Sequence, residues 1–237
     1  MAGRGQLALT SARKTADAIP RDTLPDMPFL QGFLVVPYYA MVRFGMWDDI
    51  LALSPPEHDT IFTRGVWHYA RGLAYTARNR LDDARRELDA LSKIVADPAL
   101  PGLPASFSAN TAVDILRIAP EVLAGEIAAR AGDFETAIRH LDRAVRFDDA
   151  LIYTEPHDWH MPTRHNLGAV LLQAGRPIEA EVVYWEDLRR NPENGWSLFG
   201  LAEALKAQGK DEAAAEVMRR FEKAWTDADT RLTASRF

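Results

Sequence analysis

The chain has 237 residues, of which 47% are hydrophobic and 26% charged, with a formal net charge of -6 and a pI near 5.5. This balance suits a folded chain with a full core and argues against extensive disorder, and it offers no surplus of Lys and Arg for a phosphate backbone, so nucleic acid is not an expected partner. The absence of cysteine excludes disulfides, thiolate metal sites and a cysteine nucleophile, and no run of about 18 apolar residues points to a membrane span or signal segment; the expectation is a soluble, cytoplasmic protein.

In chain order, residues 6–18 read as a helix, with Gly3 and Ala8 at positions where small residues recur later. The segment FLVVPYYAMV has the most strand-like composition, but Pro37 interrupts it and helical patterns flank it. Within VVPYYAMVRFGMWDDIL, Tyr38, Gly45 and Ile50 mark a helix, a break and a second helix. ARGLAYTARNRLDDARRELDAL repeats the scheme at Gly72, Asn79 and Ala84. The Pro- and Ser-rich VADPALPGLPASFSAN reads as an exposed connection before a lengthened helix. AGEIAARAGDFETAIRHLDRAV follows with Gly125, Gly132, Ala137 and Ala144. After a second insertion, DDALIYTEPHDWH, the segment HNLGAVLLQAGRPIEAEVVYWEDLRRNPEN carries Gly168, Gly175, Ala180, Tyr184 and Pro192. A last segment places Ala202, Gly209 and Ala214 at the same offsets.

The shift from Gly168 to Ala202 is 34 residues, as is that from Tyr38 to Gly72. With this period and pattern the chain resembles the tetratricopeptide repeat family over nearly its whole length. The resemblance implies an all-α fold, an α-α superhelix wound as a right-handed solenoid of antiparallel helix pairs A and B. It would form one domain over 1–237, with about five repeats, an N-terminal half repeat, and insertions near 95–110 and 149–161. Small residues at the eighth position let the A and B axes approach, and Gly between them closes helix A. The last segments also resemble the C-terminal region of longer bacterial tetratricopeptide proteins.

What the resemblance implies for function is a non-enzymatic module that holds a peptide or protein segment on its concave face, with no cofactor. By register the A helices would line that groove with Tyr39 and Arg43, Tyr69, Glu126 and Arg130, His165, then Trp196, Phe199 and Glu203. Trp159 and His160, just ahead of His165, would form its rim. The fifth-position residues Val35, Tyr69, Val122, His165 and Phe199 do not match the Lys, Arg and Asn clamp with which some of these domains hold chaperone tails. The stretch EPHDWHMPTRH leaves an alternative open: Glu155, His157, His160 and His165 as a metal or small-molecule site, catalytic or not, although their spacing fits no metal signature. A third reading is self-assembly into a homo-oligomer, because helix 6–18 lacks its own helix A and would leave an apolar face bare.

Overall fold

The computed structural model describes residues 2–56, 60–105 and 107–237. Among these residues there is no strand, only an isolated bridge between Pro104 and Thr111 within the first insertion. The strand-like segment 33–42 falls within the short helix α2 (Gln31–Leu34) and the following α3 (Val36–Arg43), with Pro37 in the first turn of α3, where its missing N–H costs nothing.

Four helix pairs stack in chain order: α5 (Ile61–Ala77) with α6 (Leu81–Val95), α8 (Ile118–Arg130) with α9 (Phe134–Asp149), α10 (Arg164–Gln173) with α11 (Pro177–Arg190), and α12 (Gly195–Ala207) with α13 (Asp211–Ala224). Ahead of them α3 meets the short α4 (Trp47–Ala52), and α7 (Ala112–Leu116) runs almost directly into α8. Local chemistry starts these helices. Thr60 accepts the amide of Thr63, Asp133 accepts that of Thr136, Asn194 accepts that of Trp196, and Thr111 and Asp114 form a reciprocal capping box on α7. The turns between partners close with a left-handed residue, as at Gly175 (φ 71°) and, without glycine, at Asn79 (φ 59°), the residue type that best tolerates this region after glycine.

The small eighth-position residues do what the repeat pattern requires, with one difference. A Cβ on Gly168 would collide with the ring of Tyr184 on α11, and a Cβ on Gly125 with Leu141 on α9, so each glycine sets the A–B distance in its own pair. At Gly72 the clashing side chain is Leu123 of α8, so this glycine lets the next repeat approach instead. Tyr184 is wedged from both sides, because Gly200 of α12 faces the same ring. The buried apolar residues fall into two clusters. One draws on the helices from α1 (Gly5–Asp17) to α9 and takes in Trp159; the other runs from the end of α8 to α13.

Helix α1 (Gly5–Asp17) is not bare. It packs on α3 and buries Leu9, Ala12 and Ala16, leaving Leu7 exposed and Ile19 half-buried. Its N-terminus is covered by the segment that follows α13: Asp229 accepts the amides of Gly5 (2.5 Å) and Gln6 (3.0 Å), and Arg4 pairs with Asp227. Trp225 lies against Gly3 and Gly195. The apolar face expected to lie bare is thus largely covered from within the chain, by α3 and residues 225–229.

Gly168→Leu is expected to destabilise the fold by about 1–3 kcal/mol, because the added side chain must displace a fully buried tyrosine wedged between two helices. Urea unfolding of the variant and of the original chain measures this, and equal midpoints would contradict the register.

Candidate functional site

The most heavily polar part of the interior lies where the first helices meet the last. Arg43, at the end of α3, is 7% exposed, and its guanidinium sits 3.6 Å from the centroid of the Trp196 ring. One guanidinium nitrogen donates to His165 Nδ1 at 3.1 Å, and another reaches Met161 Sδ at 3.6 Å. On its far side, His165 Nε2 stands 3.3 Å from Asp187 Oδ2, and both side chains are excluded from solvent. The guanidinium can only donate to Nδ1, while on the other side of the ring the side-chain amide nitrogen of Asn194 lies 2.7 Å from Nε2, beside the carboxylate. Asn194 and Ser197 donate to the same Asp187 oxygen, Asn191 to the other.

The titration of these groups follows from their burial and contacts. Burial pushes Asp187 upward, but the positive edge of His165 and the hydrogen bonds from His165, Ser197 and Asn194 more than reverse this and hold the carboxyl at about 2. Burial lowers His165, with the opposing pull of Asp187 too weak to restore it and Arg43 adding to the depression. Burial also brings Arg43 down to about 9, against the attraction of Asp187, which still leaves it charged at neutral pH. A cation and an anion therefore lie across a neutral imidazole, and removing either would strand the other without solvent.

The insertion residues gather around a second centre. Trp159, 3% exposed, meets the rings of Tyr39 and Tyr69, and His160 stacks on Tyr39 with centroids 4.4 Å apart and planes 6° from parallel. Tyr69 Oη lies 3.3 Å from His160 Nε2. Burial, with Arg43 adding to it, holds His160 well below the ordinary imidazole value, so this ring too is neutral. Asp158 anchors the loop by accepting from Ser108 and Asn110 of the first insertion, while Asn110 also bridges to Ile152. The two insertions thus hold each other.

The residues expected in one groove are distributed as follows. Trp196 is 1% exposed and belongs with Arg43, Phe44 and Trp225, apart from Trp159. Phe199 rests on Phe221 of α13, and Glu203 is half-buried. Arg130 is exposed and donates to Asn79. Glu126 is buried and accepts from Asn166 and from Arg236. The alternative metal set does not come together: Glu155 pairs with Tyr153, His157 stands edge-on to the Tyr153 ring, and His160 and His165 serve the two centres above. Among the described residues no group of three His, Asp or Glu side chains is arranged to hold a metal.

The segment after α13 is the feature that the sequence reading lacked. It runs back from the α10–α11 pair over α8 to the start of α4: Ser235 lies between Tyr184 Oη (2.7 Å) and the carbonyl of His165 (2.8 Å), Arg236 reaches Glu126 (2.6 Å) and Gln173 (2.9 Å), and the Phe237 ring stands edge-on to Trp47 at 5.1 Å. TASRF carries no pattern that would announce a groove ligand, and Asp187 in YWEDLRR looks like any acid on a solvated helix face.

The tetratricopeptide repeat family model matches residues 66–90, 120–143, 161–184 and 195–220, the four helix pairs described above. The chain belongs to the tetratricopeptide repeat family. Repeats of this kind are in general protein-interaction modules. Among the described residues no helix is long and apolar enough to cross a membrane. No curated protein and no solved structure matches the chain.

Two buried imidazoles with lowered pKa set the acid limit of this tetratricopeptide fold. A histidine whose folded pKa lies below its unfolded value near 6.5 binds fewer protons folded than unfolded in that window, so stability is full above pH 6.5 and falls as the pH drops through it. The Asp187 contribution is lost only further down, between its unfolded value near 3.8 and about 2. Urea unfolding free energies from pH 8 to 5 should decline below about pH 6.5, with a shallower decline in His160→Asn; a flat profile contradicts the two neutral imidazoles.

Proposed function

We propose that this protein is a non-enzymatic tetratricopeptide module that holds an extended protein segment across its A helices, and that residues 230–237 occupy that place in the resting chain. The observation that carries this reading is the Arg236–Glu126 pair. Both side chains are nearly buried, at 12% and 6% exposure, and Glu126 is held from behind by Asn166. A carboxylate placed on helix A, oriented by a second groove residue and neutralised by an incoming arginine is how an interaction surface selects a basic partner segment. Ser235 adds the backbone register through the His165 carbonyl, and Phe237 adds an aromatic anchor on Trp47. A partner segment with a basic residue flanked by an aromatic one would enter by replacing this stretch.

An internal segment competes at an effective concentration of order millimolar, so it masks the groove from weak partners until its own contacts are weakened. Losing one member of a buried charge pair costs about 2–5 kcal/mol at an interface. Arg236→Glu, which sets two carboxylates against each other, should therefore tighten binding of a fluorescein-labelled peptide of residues 231–237, added in trans, by tenfold or more. Adding Glu126→Arg to this variant should abolish that gain. Fluorescence anisotropy measures both, and failure of Arg236→Glu to bind the peptide more tightly than the original chain would contradict the proposal.

A further inference from the structure

The phenol of Tyr184 reaches a place that its position on α11 does not suggest. Tyr184 belongs to a B helix, yet its ring lies in a slot between the A helices α10 and α12, kept open by Gly168 on one side and Gly200 on the other. A Cβ on Gly168 would stand 2.8 Å from Tyr184 Oη and one on Gly200 2.6 Å, so the two glycines make room for the hydroxyl itself and not only for the ring. Packing alone would be served by a phenylalanine. The hydroxyl acquires a purpose where it emerges, because there it meets Ser235 Oγ at 2.7 Å.

Ser235 has one hydroxyl proton to give, and gives it to the His165 carbonyl at 2.8 Å, so in the bond with Tyr184 the phenol donates and the serine accepts. Tyr184 and Ser235 are 0% and 2% exposed, and water has no access to replace either partner while the segment is seated. An alanine in place of the serine would strand the phenol proton, and a long side chain would overfill an enclosed position. A site built around a hydroxyl rejects the analogue that lacks it more sharply than an apolar pocket rejects a missing methylene. The next residue, Arg236, is taken by Glu126 and Gln173. Two successive side chains are thus met by two different chemistries, a hydroxyl by a phenol and a carbonyl, then a guanidinium by a carboxylate and an amide.

We infer that Tyr184 is a specificity-determining residue of the groove, selecting partner segments in which a small hydroxyl side chain stands directly before the basic one. This rests on the reading that residues 230–237 occupy the place of a partner. The test uses the full chain carrying Arg236→Glu and two fluorescein-labelled peptides of residues 231–237, one unchanged and one with Ser235→Ala. Fluorescence anisotropy should find the alanine peptide about tenfold weaker, and this comparison needs no change at Tyr184. Adding Tyr184→Phe to the protein, with its fold checked by circular dichroism, should largely remove the difference. The ratio of the two affinities on one protein cancels the competition from the internal segment, which is the same in both titrations. Peptide binding that Glu126→Arg abolishes, but that is equal for the two peptides, overturns this inference and leaves the groove reading standing. An alanine penalty undiminished in folded Tyr184→Phe also overturns it, because the hydroxyl is then read by the His165 carbonyl alone. Absence of binding by either peptide removes the groove reading and this inference with it.

Discussion

The rest of this molecule depends on one buried cation. Arg43 leaves α3 and enters a space walled by Trp196, Met161 and His165, where nothing but a fixed negative charge can make its position tolerable. That charge is Asp187, more than a hundred residues away in the chain, and the imidazole of His165 transmits the attraction between them. At this point polar contacts join the early helices to the late ones, beside the ring contacts of Phe44, Trp196 and Trp225. An apolar joint would tolerate sliding, whereas a guanidinium, an imidazole and a carboxylate in line tolerate one geometry.

The helix pairs could be read from the sequence because their cues are local. Gly175 and Asn79 end helices by backbone conformation, and Gly168 and Gly125 mark close approaches to residues of their own pair, so each can be recognised within a window of about 34 residues. Gly72 shows the limit of this reading, because the side chain that needs its space belongs to the next repeat. Gly200 likewise owes its place to a residue of another pair, Tyr184, whose ring it faces.

The candidate sites were legible in part, and for a physical reason. His165 and Glu126 lie on helix faces whose direction is set by the repeat, so their inward orientation could be inferred from register. What they meet there could not, because Arg43, Asn166 and Arg236 arrive from other turns of the superhelix. The imidazoles of EPHDWHMPTRH look like one cluster in sequence, yet an irregular chain turns neighbouring side chains in unrelated directions. His157 goes to Tyr153, His160 to Tyr39, and His165 to the buried relay.

Tying α1 to the segment after α13 has a consequence for how the chain comes apart. An open array of stacked repeats behaves as a one-dimensional chain of units, each stabilised by its neighbours, and its terminal units have one neighbour fewer and fray first. Here the first helix is held by Asp229 and Asp227, and α3 is locked to α11 and α12 through Arg43, so neither end is terminal in the energetic sense. A ring of interactions has no preferred place to begin melting. Partial loss of the last repeat, the usual low-energy excursion of such arrays, would also uncap α1 and strand a buried charge, and the molecule is thereby pushed from piecemeal towards all-or-none unfolding.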